Sequence, residues 1–306
     1  MEKILKKIMN KNKYLIGKGK LADYIPALSK ANKEDIGLTI IDENGSIYQV
    51  GDFHKKFTIQ SISKIISLFL AIIDNGEEEI FNRIGCEGTE EPFNTLFKLD
   101  LPHTLKPPNP MVNSGAILTT SLILGDGEEK FQRLLEFLRN ITGNPKLSYN
   151  EEVYLSEKAT GNKNRALAYL MKSRNFLEGD VENVLDTYFK QCAIEVTTED
   201  LGEIGFFLAS RNKDSDFDIE GQTNINRTKR IITAIMATSG MYNFSGEYAI
   251  NVGIPSKSGV GGGIVGTIPN KFGIGIYSPE LDQYGNSIVG YGIMKDLSRE
   301  LKLNLF

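Results

Sequence analysis

The chain changes from strand-like to helical sequence at Phe57-Thr-Ile-Gln-Ser61-Ile-Ser-Lys64. The apolar run that follows, 65–73, is far shorter than the roughly 20 apolar residues that span a membrane, so it predicts a buried helix. Ser61 and Lys64 stand at positions i and i+3, which places both side chains on one helix face and lets their functional groups meet. The fold and the chemistry that we predict both start from this pair.

Serine and lysine at this spacing can act together as nucleophile and general base. A serine hydroxyl is a weak nucleophile until a neighbouring base removes its proton. Lysine can be that base only if its pKa falls from about 10.4 toward about 7–8, and apolar surroundings, a helix N-terminus and a second cation all lower it. The motif is weak on its own, because Ser210 and Lys213 repeat it in a polar stretch that predicts a solvated pair. Ser61 could also be a helix N-cap beside an exposed Lys64.

A second motif, Lys257-Ser258-Gly259, lies in the C-terminal part of the chain. A Ser-x-x-Lys helix that faces a Lys-[Ser/Thr]-Gly strand is the arrangement of serine β-lactamases and penicillin-binding proteins. The backbone N–H groups of such a strand can hold a developing oxyanion, an effect of about 2.7–4 kcal/mol per donor. Gly259 and the glycines at 261–263 would let this backbone approach a substrate closely.

Strand-like sequence lies toward both ends of the chain. Near the N-terminus, 37–41 and 46–50 flank the turn Asp42-Glu-Asn-Gly45, and Asn-Gly between such runs is a strong hairpin signal. A closing helix is predicted from about Met294. Further strands are predicted between Gly240 and that helix, at 248–252, 262–267, 272–277 and 287–293.

The middle of the chain is helical, with breaks at Gly, Pro or Asn. The order of elements predicts an α+β fold, in which an antiparallel sheet from both chain ends is flanked by N- and C-terminal helices and carries a large inserted α-helical lobe. We expect one catalytic unit over 1–306, with a mixed lobe of about 1–60 and 240–306 and a helical lobe of about 61–239. The predicted helices are 61–75, 114–124, 128–141, 163–173, 181–190 and 198–210, then 229–239 after a polar loop at 211–228.

Composition excludes several kinds of site. The 306 residues include 35 Lys+Arg, 39 Asp+Glu, two histidines (His54 and His103) and two cysteines (Cys86 and Cys192). A three-histidine zinc centre, a four-cysteine metal site and a multi-disulfide framework are therefore unavailable, and we expect neither metal nor cofactor. A Ser-His-Asp triad could use only one of the two histidines, so a hydrolase would take its general base from another residue type. The slightly acidic balance offers no electrostatic footprint for nucleic acid.

The N-terminal segment is lysine-rich and has no apolar core of a secretory signal. The spacing of Ile4, Ile8 and Met9 predicts an amphipathic helix, for which binding to a membrane surface is the alternative to a solvated first helix. Two distant cysteines and no export signal fit a reducing cytoplasm, in which both would be small buried hydrophobes. We therefore expect a cytoplasmic protein without a membrane partner.

Taken together and in order, several segments make the chain resemble the serine-dependent glutaminases of the β-lactamase-like superfamily. The resemblance runs from about Asp23 to the last strands and implies a β-lactamase/transpeptidase-like fold. The segments that carry it are Tyr24-Ile-Pro-Ala-Leu, Gln60-Ser-Ile-Ser-Lys64, Asn109-Pro-Met-Val-Asn-Ser-Gly-Ala-Ile117, Ser156-Glu-Lys-Ala-Thr-Gly-Asn-Lys-Asn-Arg165, Asp186-Thr-Tyr-Phe-Lys-Gln-Cys192, Gly240-Met-Tyr242 and Gly253-Ile-Pro-Ser-Lys-Ser-Gly-Val260.

The resemblance implies a mechanism for hydrolysis of L-glutamine. Ser61 would attack the side-chain amide, and Lys64 would accept the serine proton and pass it toward departing ammonia. Water would then hydrolyse the γ-glutamyl ester on Ser61. The backbone N–H groups of Ser61 and Val260 would form the oxyanion hole, and Tyr242 would be a proton relay or orienting hydroxyl beside the Ser-Lys pair.

The resemblance also implies a site for an amino acid. Glu157 would bind the α-ammonium group, and a set of donors would hold the α-carboxylate and backbone, which recognises a zwitterion more selectively than an apolar slot could. Outside such a family, tyrosines are usually core-edge aromatics, asparagines are turn or cap residues, and a helix glutamate is exposed. The further substrate-binding residues implied are Tyr24, Gln60, Asn113, Asn164 and Tyr188.

Other functions stay open at this point. A β-lactamase or penicillin-binding-type serine acyl hydrolase is the nearest alternative, although the chain has no Ser-Asp-Asn triplet and no signal peptide. Gly261-x-Gly263-x-x-Gly266 matches a dinucleotide fingerprint, but strand-like sequence follows it where that fingerprint needs a helix. A non-catalytic amino-acid-binding protein would have no use for the Ser61–Lys64 pair. Relatives of the resembled family imply a homodimer or homotetramer.

Overall fold

The computed structural model describes residues 1–89, 94–95, 106–210 and 225–306. Both ends of the described chain contribute to one five-stranded antiparallel sheet, in which the strands lie in the order 47–51, 37–42, 272–277, 263–268 and 256–258. Two short strands pair separately: one, at 57–58, directly precedes the Ser61 turn, and the other, at 195–196, comes much later in the chain. The strands are β1 (Gly37–Asp42), β2 (Ile47–Gly51), β3 (Phe57–Thr58), β4 (Glu195–Val196), β5 (Ser256–Ser258), β6 (Gly263–Ile268) and β7 (Phe272–Tyr277).

The predicted N-terminal hairpin is confirmed. Its register pairs Gly37 with Gly51 and Ile41 with Ile47. Gly45 has a φ of +78°, a conformation that costs glycine little, and it closes the turn. An Asn-Gly turn between two strand-like runs therefore specified both the pairing and its register.

Twelve α-helices lie in the described ranges, and all seven predicted in the middle of the chain are confirmed to within a few residues. The helix after the polar loop begins at Ile225, earlier than predicted, and 211–224 lie outside the described residues. The helices are α1 (Glu2–Asn12), α2 (Ser63–Asn75), α3 (Glu77–Arg83), α4 (Asn113–Ser121), α5 (Gly127–Thr142), α6 (Glu151–Thr160), α7 (Asn162–Ser173), α8 (Val181–Cys192), α9 (Thr198–Ala209), α10 (Ile225–Ser239), α11 (Ser245–Asn251) and α12 (Ile288–Leu301).

Two predicted strands are wrong. The segment 248–252 lies mostly in α11, and 287–293 lies at the start of α12. Their aromatic and β-branched residues favour strands locally. In α12, however, the Ser287 hydroxyl accepts from Gly290 N as an N-cap, and Val289, Ile293 and Leu297 recur with helical spacing in the core beside the sheet. Packing against the sheet outweighed local propensity there.

Helix α9 packs directly on the sheet, and glycines make this close approach possible. A Cβ atom on Gly273 would lie 2.2 Å from the Gly202 carbonyl oxygen, and one on Gly275 would lie 2.0 Å from the Thr198 carbonyl oxygen. This helix falls in the range that we assigned to the helical lobe, so the chain already contacts the sheet well before residue 240. The division into two lobes stays a prediction.

The predicted amphipathic N-terminal helix is confirmed, and its apolar side is covered by protein. Leu5 and Ile8 are buried in the core that α12 shares, and Asn12 donates to Asp296 at 2.9 Å. Most of the apolar face that a membrane surface would bind is therefore occupied, while Ile4 at its edge stays exposed. Across the described ranges, none of the helices combines the length and apolar character needed to cross a bilayer.

Candidate active site

Ser61 lies in a short 3₁₀ turn, Gln60–Ile62, between β3 and α2. The turn starts with a strained residue, because Gln60 has a φ of +49°, which non-glycine residues rarely adopt. Such strain persists only where the surrounding structure enforces it, and it concentrates at functional sites. The turn exposes only 8% of Ser61, at the wall of a cavity described below.

Lys64, one helical turn later on α2, is completely buried. Its Nζ donates to the Met111 carbonyl oxygen at 2.9 Å and to Asn113 Oδ1 at 2.8 Å. Among the described residues, the hydrogen bonds of Nζ go to the 109–113 segment and not to Ser61, which lies in the 3₁₀ turn before α2. Burial lowers the pKa of Lys64 to about 8, and the negative charge of Glu157 opposes this only in part.

A neutral lysine amine has two N–H groups and one lone pair, and two oxygen acceptors satisfy both of those N–H groups. The Met111 and Asn113 oxygens therefore match the uncharged form of Lys64. An ammonium group would have a third donor to satisfy in a buried position, which costs free energy. The geometry and the lowered pKa of Lys64 both favour the uncharged form of this amine more than is usual for a lysine.

Tyr242 lies on the other side of Ser61. Its hydroxyl hydrogen-bonds to Ser61 and donates to the Ser258 carbonyl oxygen at 3.2 Å. Burial raises the pKa of Tyr242 above its ordinary value, so the group is a neutral phenol. Its backbone has a φ of +57°, the second strained non-glycine residue at the site. The hydroxyl in direct contact with the Ser61 hydroxyl is therefore that of Tyr242.

The Lys257-Ser258-Gly259 motif forms strand β5 and the turn after it. A Cβ atom on Gly259 would lie 2.6 Å from the Ile59 carbonyl oxygen, and one on Gly261 would lie 2.5 Å from the Thr58 carbonyl oxygen. These glycines therefore make room for the backbone that precedes Ser61, whereas we had expected them to make room for a substrate. Their close packing brings Val260 to the cavity that Ser61 lines.

Two backbone N–H groups beside the Gly259 turn have no hydrogen-bond acceptor among the described residues. In the described part of the chain, neither Ser61 N nor Val260 N has an intramolecular hydrogen-bond acceptor. Both residues line the cavity, so both N–H groups belong to its wall. Unpaired N–H groups beside a nucleophile are what an oxyanion hole requires.

Glu157, on α6, supplies a buried carboxylate with little compensation. It is 7% exposed, and burial raises its pKa to about 8, against the opposing effects of Lys64 and of a hydrogen bond from Gln60. Its Oε2 atom has no hydrogen-bond partner among the described residues. An unpaired buried carboxylate oxygen is costly unless a ligand satisfies it. This arrangement favours a cationic ligand group.

A cavity of about 290 Å³ joins these groups. It contains eight of the ten residues predicted for the site; the other two, Lys64 and Tyr242, lie behind its wall in contact with Asn113 and Ser61. Two of the lining residues are hydrogen-bonded to each other, because Asn113 Nδ2 donates to Asn164 Oδ1 at 2.8 Å. The eight are Tyr24, Gln60, Ser61, Asn113, Glu157, Asn164, Tyr188 and Val260.

Sequence reasoning missed other parts of the wall. Cys192 is buried, as predicted, but it also lines the cavity, and burial raises the pKa of its thiol well above the usual range. Lys163 lies at the start of α7, beside Asn164. Its place in a segment that resembles the family was the one signal that could have identified it. Cys86 and Cys192 are free thiols, but Cys86 is exposed, so the prediction that both cysteines are buried is correct only for Cys192.

The remaining sequence candidates lie elsewhere. His54 is not among the residues that line the cavity, and His103 lies outside the described residues. Lys213 also lies outside them, while Ser210 accepts a hydrogen bond from Lys229 through its carbonyl oxygen at 3.1 Å. Within the described ranges, no group of three His, Cys, Asp or Glu side chains is arranged to hold a metal ion.

Comparison with known proteins adds independent evidence. Residues 19–306 match the family model described as Glutaminase. The chain is 53% identical over 308 residues to "Glutaminase 2" of Clostridium perfringens, with all of both chains covered. It is 50% identical over 304 residues to "Glutaminase" of Alkaliphilus oremlandii, with 99% of each chain covered.

The solved structures agree. The probable glutaminase from Bacillus subtilis complexed with 6-diazo-5-oxo-L-norleucine matches with a TM-score of 0.87 at 36% identity, over 100% of this chain and 97% of that chain. Glutaminase structures of this kind have the β-lactamase-like fold, so the predicted fold class is confirmed. A family match over nearly the whole chain, with relatives about half identical over their full length, leads to one conclusion: the chain belongs to the glutaminase family and is a glutaminase hydrolase.

Proposed function

We propose that the protein hydrolyses L-glutamine to L-glutamate and ammonia through a γ-glutamyl ester on Ser61, with Lys64 as the general base. The observation that carries this proposal is the state of Lys64. Its Nζ is fully buried, both N–H groups of its neutral form have acceptors, and burial lowers its pKa to about 8. A base whose pKa lies near the operating pH is the most efficient proton acceptor.

The proposed reaction has two stages, formation of an ester on Ser61 and hydrolysis of that ester. The Ser61 oxygen bonds to the amide carbon as its proton passes to Lys64, either directly or through the Tyr242 hydroxyl that contacts Ser61. The C–N bond then breaks, and the proton leaves with the amine as ammonia. Water attacks the ester, gives one proton back through Lys64 to the serine oxygen, and releases glutamate.

The oxyanion formed in each step needs donors, and Ser61 N and Val260 N are the unpaired N–H groups of the wall. Each donor is expected to contribute about 2.7–4 kcal/mol of transition-state stabilisation. The Tyr242 hydroxyl hydrogen-bonds to the Ser61 hydroxyl. Tyr242 is a neutral phenol, because burial raises the pKa of this side chain.

Glu157 is the proposed partner of the substrate's α-ammonium group. Its unpaired Oε2, its burial and its place in the cavity all support this role. The Gln60 amide, which hydrogen-bonds to Glu157, would hold that carboxylate in place. The donors proposed to hold the α-carboxylate and backbone of the substrate are Tyr24, Asn113, Asn164 and Tyr188.

A direct test measures ammonia and glutamate after the protein is mixed with L-glutamine. We expect turnover by the wild type and none by Ser61→Ala. Absence of turnover by the wild type, or unchanged turnover by Ser61→Ala, would contradict the proposal. A parallel assay with L-asparagine distinguishes a glutaminase from an asparaginase. A parallel assay with a chromogenic β-lactam distinguishes it from a β-lactamase.

A second test looks for the covalent step itself. The diazo ketone 6-diazo-5-oxo-L-norleucine keeps the amino-acid end of glutamine and places a reactive carbon at the site of the amide. We expect one equivalent to add to Ser61, seen by peptide mass spectrometry, and none to add in Ser61→Ala. Addition at Cys192 instead would move the nucleophile to that residue.

Three further properties are part of this proposal. We propose a cytoplasmic protein, supported by two free cysteines, and a homo-oligomer, for which sedimentation velocity distinguishes dimer from tetramer. We also propose that residues 1–306 form one catalytic unit, built of a mixed lobe and a helical lobe. Limited proteolysis that releases a stable fragment of about 61–239 would contradict that single unit.

A further inference from the structure

Both acceptors of the Lys64 amine come from one short segment of the chain. The Met111 carbonyl oxygen and the Asn113 side chain lie in Asn109-Pro-Met-Val-Asn113, which leads into α4. The shape of this segment therefore fixes the position of the amine. It also determines which protonation state of the amine has a hydrogen-bond acceptor for every N–H group.

The Asn109 side chain ties that segment together. It is completely buried, and its Oδ1 accepts from Met111 N at 2.9 Å and from Val112 N at 3.1 Å. Its Nδ2 donates to the Glu87 carbonyl oxygen at 2.7 Å. A side-chain oxygen that binds the N–H groups two and three residues ahead closes an Asx-type turn and fixes the peptide planes within it. The Met111 carbonyl that Lys64 uses belongs to this turn.

The main chain at Asn109 is also closely packed, which limits other shapes of the turn. A Cβ atom on Gly115 would lie 1.9 Å from the Asn109 carbonyl oxygen. Helix α4 therefore rests on this carbonyl, and Asn113 begins the helix. The segment is held at both ends, by the Asn109 amide and by the start of α4.

We propose that Asn109 is a positioning residue for the general base, because its side-chain amide fixes the turn that presents the Met111 carbonyl and the Asn113 side chain to Lys64. The inference rests on the proposed function, in which Lys64 takes the proton of Ser61. Asn109 acts through the turn: among the described residues its side-chain hydrogen bonds go to Met111, Val112 and Glu87.

The turn selects the uncharged amine by offering two acceptors and no third. If it loosens, water and other carbonyl groups can reach the third N–H of the ammonium form, and the charged form gains stability. Other titratable groups face Lys64 from neighbouring elements, namely Glu157 from α6, Cys192 from α8 and Lys257 from β5. Tyr242 lies across a small cavity of about 10 Å³ from Asn109. None of these groups changes in an Asn109 variant.

The test is the pH dependence of kcat/KM for L-glutamine in Asn109→Ala. We expect the acidic limb, which reports protonation of Lys64, to move up by about one pH unit or more, with kcat lowered about tenfold at neutral pH and KM changed less than about twofold. Asn109→Ser keeps an oxygen that can accept from Val112 N, so its limb should lie between those of the wild type and Asn109→Ala.

The matched control is Asn12→Ala. Asn12 is also a buried asparagine with side-chain hydrogen bonds, to the Ile8 carbonyl and to Asp296, but it is the last residue of α1 and contacts α12. We expect it to lose stability without moving the limb. A wild-type limb in folded Asn109→Ala, or an equal shift in Asn12→Ala, would overturn the inference. If Asn109→Ala does not fold, the inference is overturned when the acidic limb of Asn109→Ser lies at the same pH as that of the wild type.

A readout without turnover separates this inference from the proposed function. Lysine labelled with ¹³C at Cε gives an NMR signal for Lys64, assigned by its absence in Lys64→Met, and this signal reports the pKa directly. A higher pKa in the Asn109 variants supports the inference even if Ser61→Ala shows that another residue is the nucleophile. An unchanged pKa overturns it even if the enzyme is active.

Discussion

Two lysines near the cavity, Lys64 and Lys257, are buried to the same extent, and we propose different roles for them. Each is fully buried, and each Nζ has two oxygen acceptors: Met111 and Asn113 for Lys64, the Gly240 and Ser258 carbonyls for Lys257. Burial lowers the pKa of both, and the charge of Lys64 lowers that of Lys257 further. Burial therefore favours the neutral form of both amines and does not decide the role of either one.

The surroundings of the two amines decide it. Lys64 lies next to Asn113, which lines the cavity, and on the same turn of chain as Ser61. Lys257 lies 4.3 Å from the centre of the Tyr242 ring, and both of its acceptors are backbone carbonyls. Lys64 is therefore the amine that we propose for the reaction, whereas Lys257 donates to the Gly240 carbonyl and ties strand β5 to it beneath the tyrosine. Variants that remove one amine at a time test this difference.

The largest effect is expected from Lys64→Met. Methionine keeps most of the buried apolar contact and cannot accept a proton, so kcat should fall about 10²–10⁴-fold while the circular dichroism spectrum stays unchanged. Lys229→Met is the matched control, because burial also lowers the pKa of Lys229 to about 8 but that lysine stacks on Phe207, away from the cavity. Wild-type activity in Lys64→Met, or an equal loss in Lys229→Met, would remove Lys64 from the mechanism.

The next effect concerns the carboxylate that Lys64 faces and Lys257 does not. Glu157→Gln keeps the shape of the side chain and removes its charge, so it should weaken binding of the α-ammonium group and lower kcat/KM for L-glutamine about 100-fold, mainly through KM. Steady-state kinetics measure this directly. A normal KM in this variant would place the ammonium group elsewhere in the cavity.

A smaller effect is expected from Lys257→Met. The variant leaves the Gly240 carbonyl without its side-chain donor and removes the amine below the Tyr242 ring, which should destabilise the fold by about 1–3 kcal/mol and lower kcat about tenfold. Urea unfolding and kcat at saturating glutamine measure the two quantities. If Lys257→Met were as inactive as Lys64→Met, the two lysines would share the catalytic role and the comparison would fail.

The smallest effect is a change in how stability depends on pH. Burial raises the pKa of Glu157 to about 8, above the value of about 4.3 in an unfolded chain, so the folded protein holds this proton longer. Stability should therefore fall as pH rises from about 5 to 8, by on the order of 1–3 kcal/mol from this group. In Glu157→Gln that contribution is absent. Tm measured from pH 5 to 8 should fall less in the variant, and parallel curves would contradict the shift.

The Lys64 amine titrates in the opposite sense and in another window. Its pKa in the folded protein, about 8, is lower than the value of about 10.4 in an unfolded chain, so stability should rise with pH between those values. Lys64→Met should lose this rise, whereas Glu157→Gln should keep it. The same Tm series, extended to pH 10, therefore serves both residues.

Much of the site could be predicted because its chemistry is local or carried by motifs. Ser61 and Lys64 follow from one helical spacing, and the resemblance identified Glu157 and Tyr242, which the structure brings to the same cavity or its wall. Cys192 is buried as predicted, but its place at the cavity wall was missed, because a buried cysteine gives the same local signal whether it lies in the core or lines a cavity. Asn109 was quoted only as part of a motif, because nothing in its neighbours reveals that its turn presents a carbonyl to Lys64.

The sequence by itself determined the features that depend on neighbouring residues: the Asn-Gly hairpin, the buried helix after Ser61, and a serine and a lysine on one face. The tertiary structure alone decided that Lys64 meets Asn113, 49 residues away along the chain, and that Gly259 packs against the Ile59 carbonyl. It also decided that 248–252 and 287–293 are mainly helical. Spacing fixes which side chains share a face, but the pKa of Lys64 depends on which distant groups exclude water from it, and only the packed fold determines that.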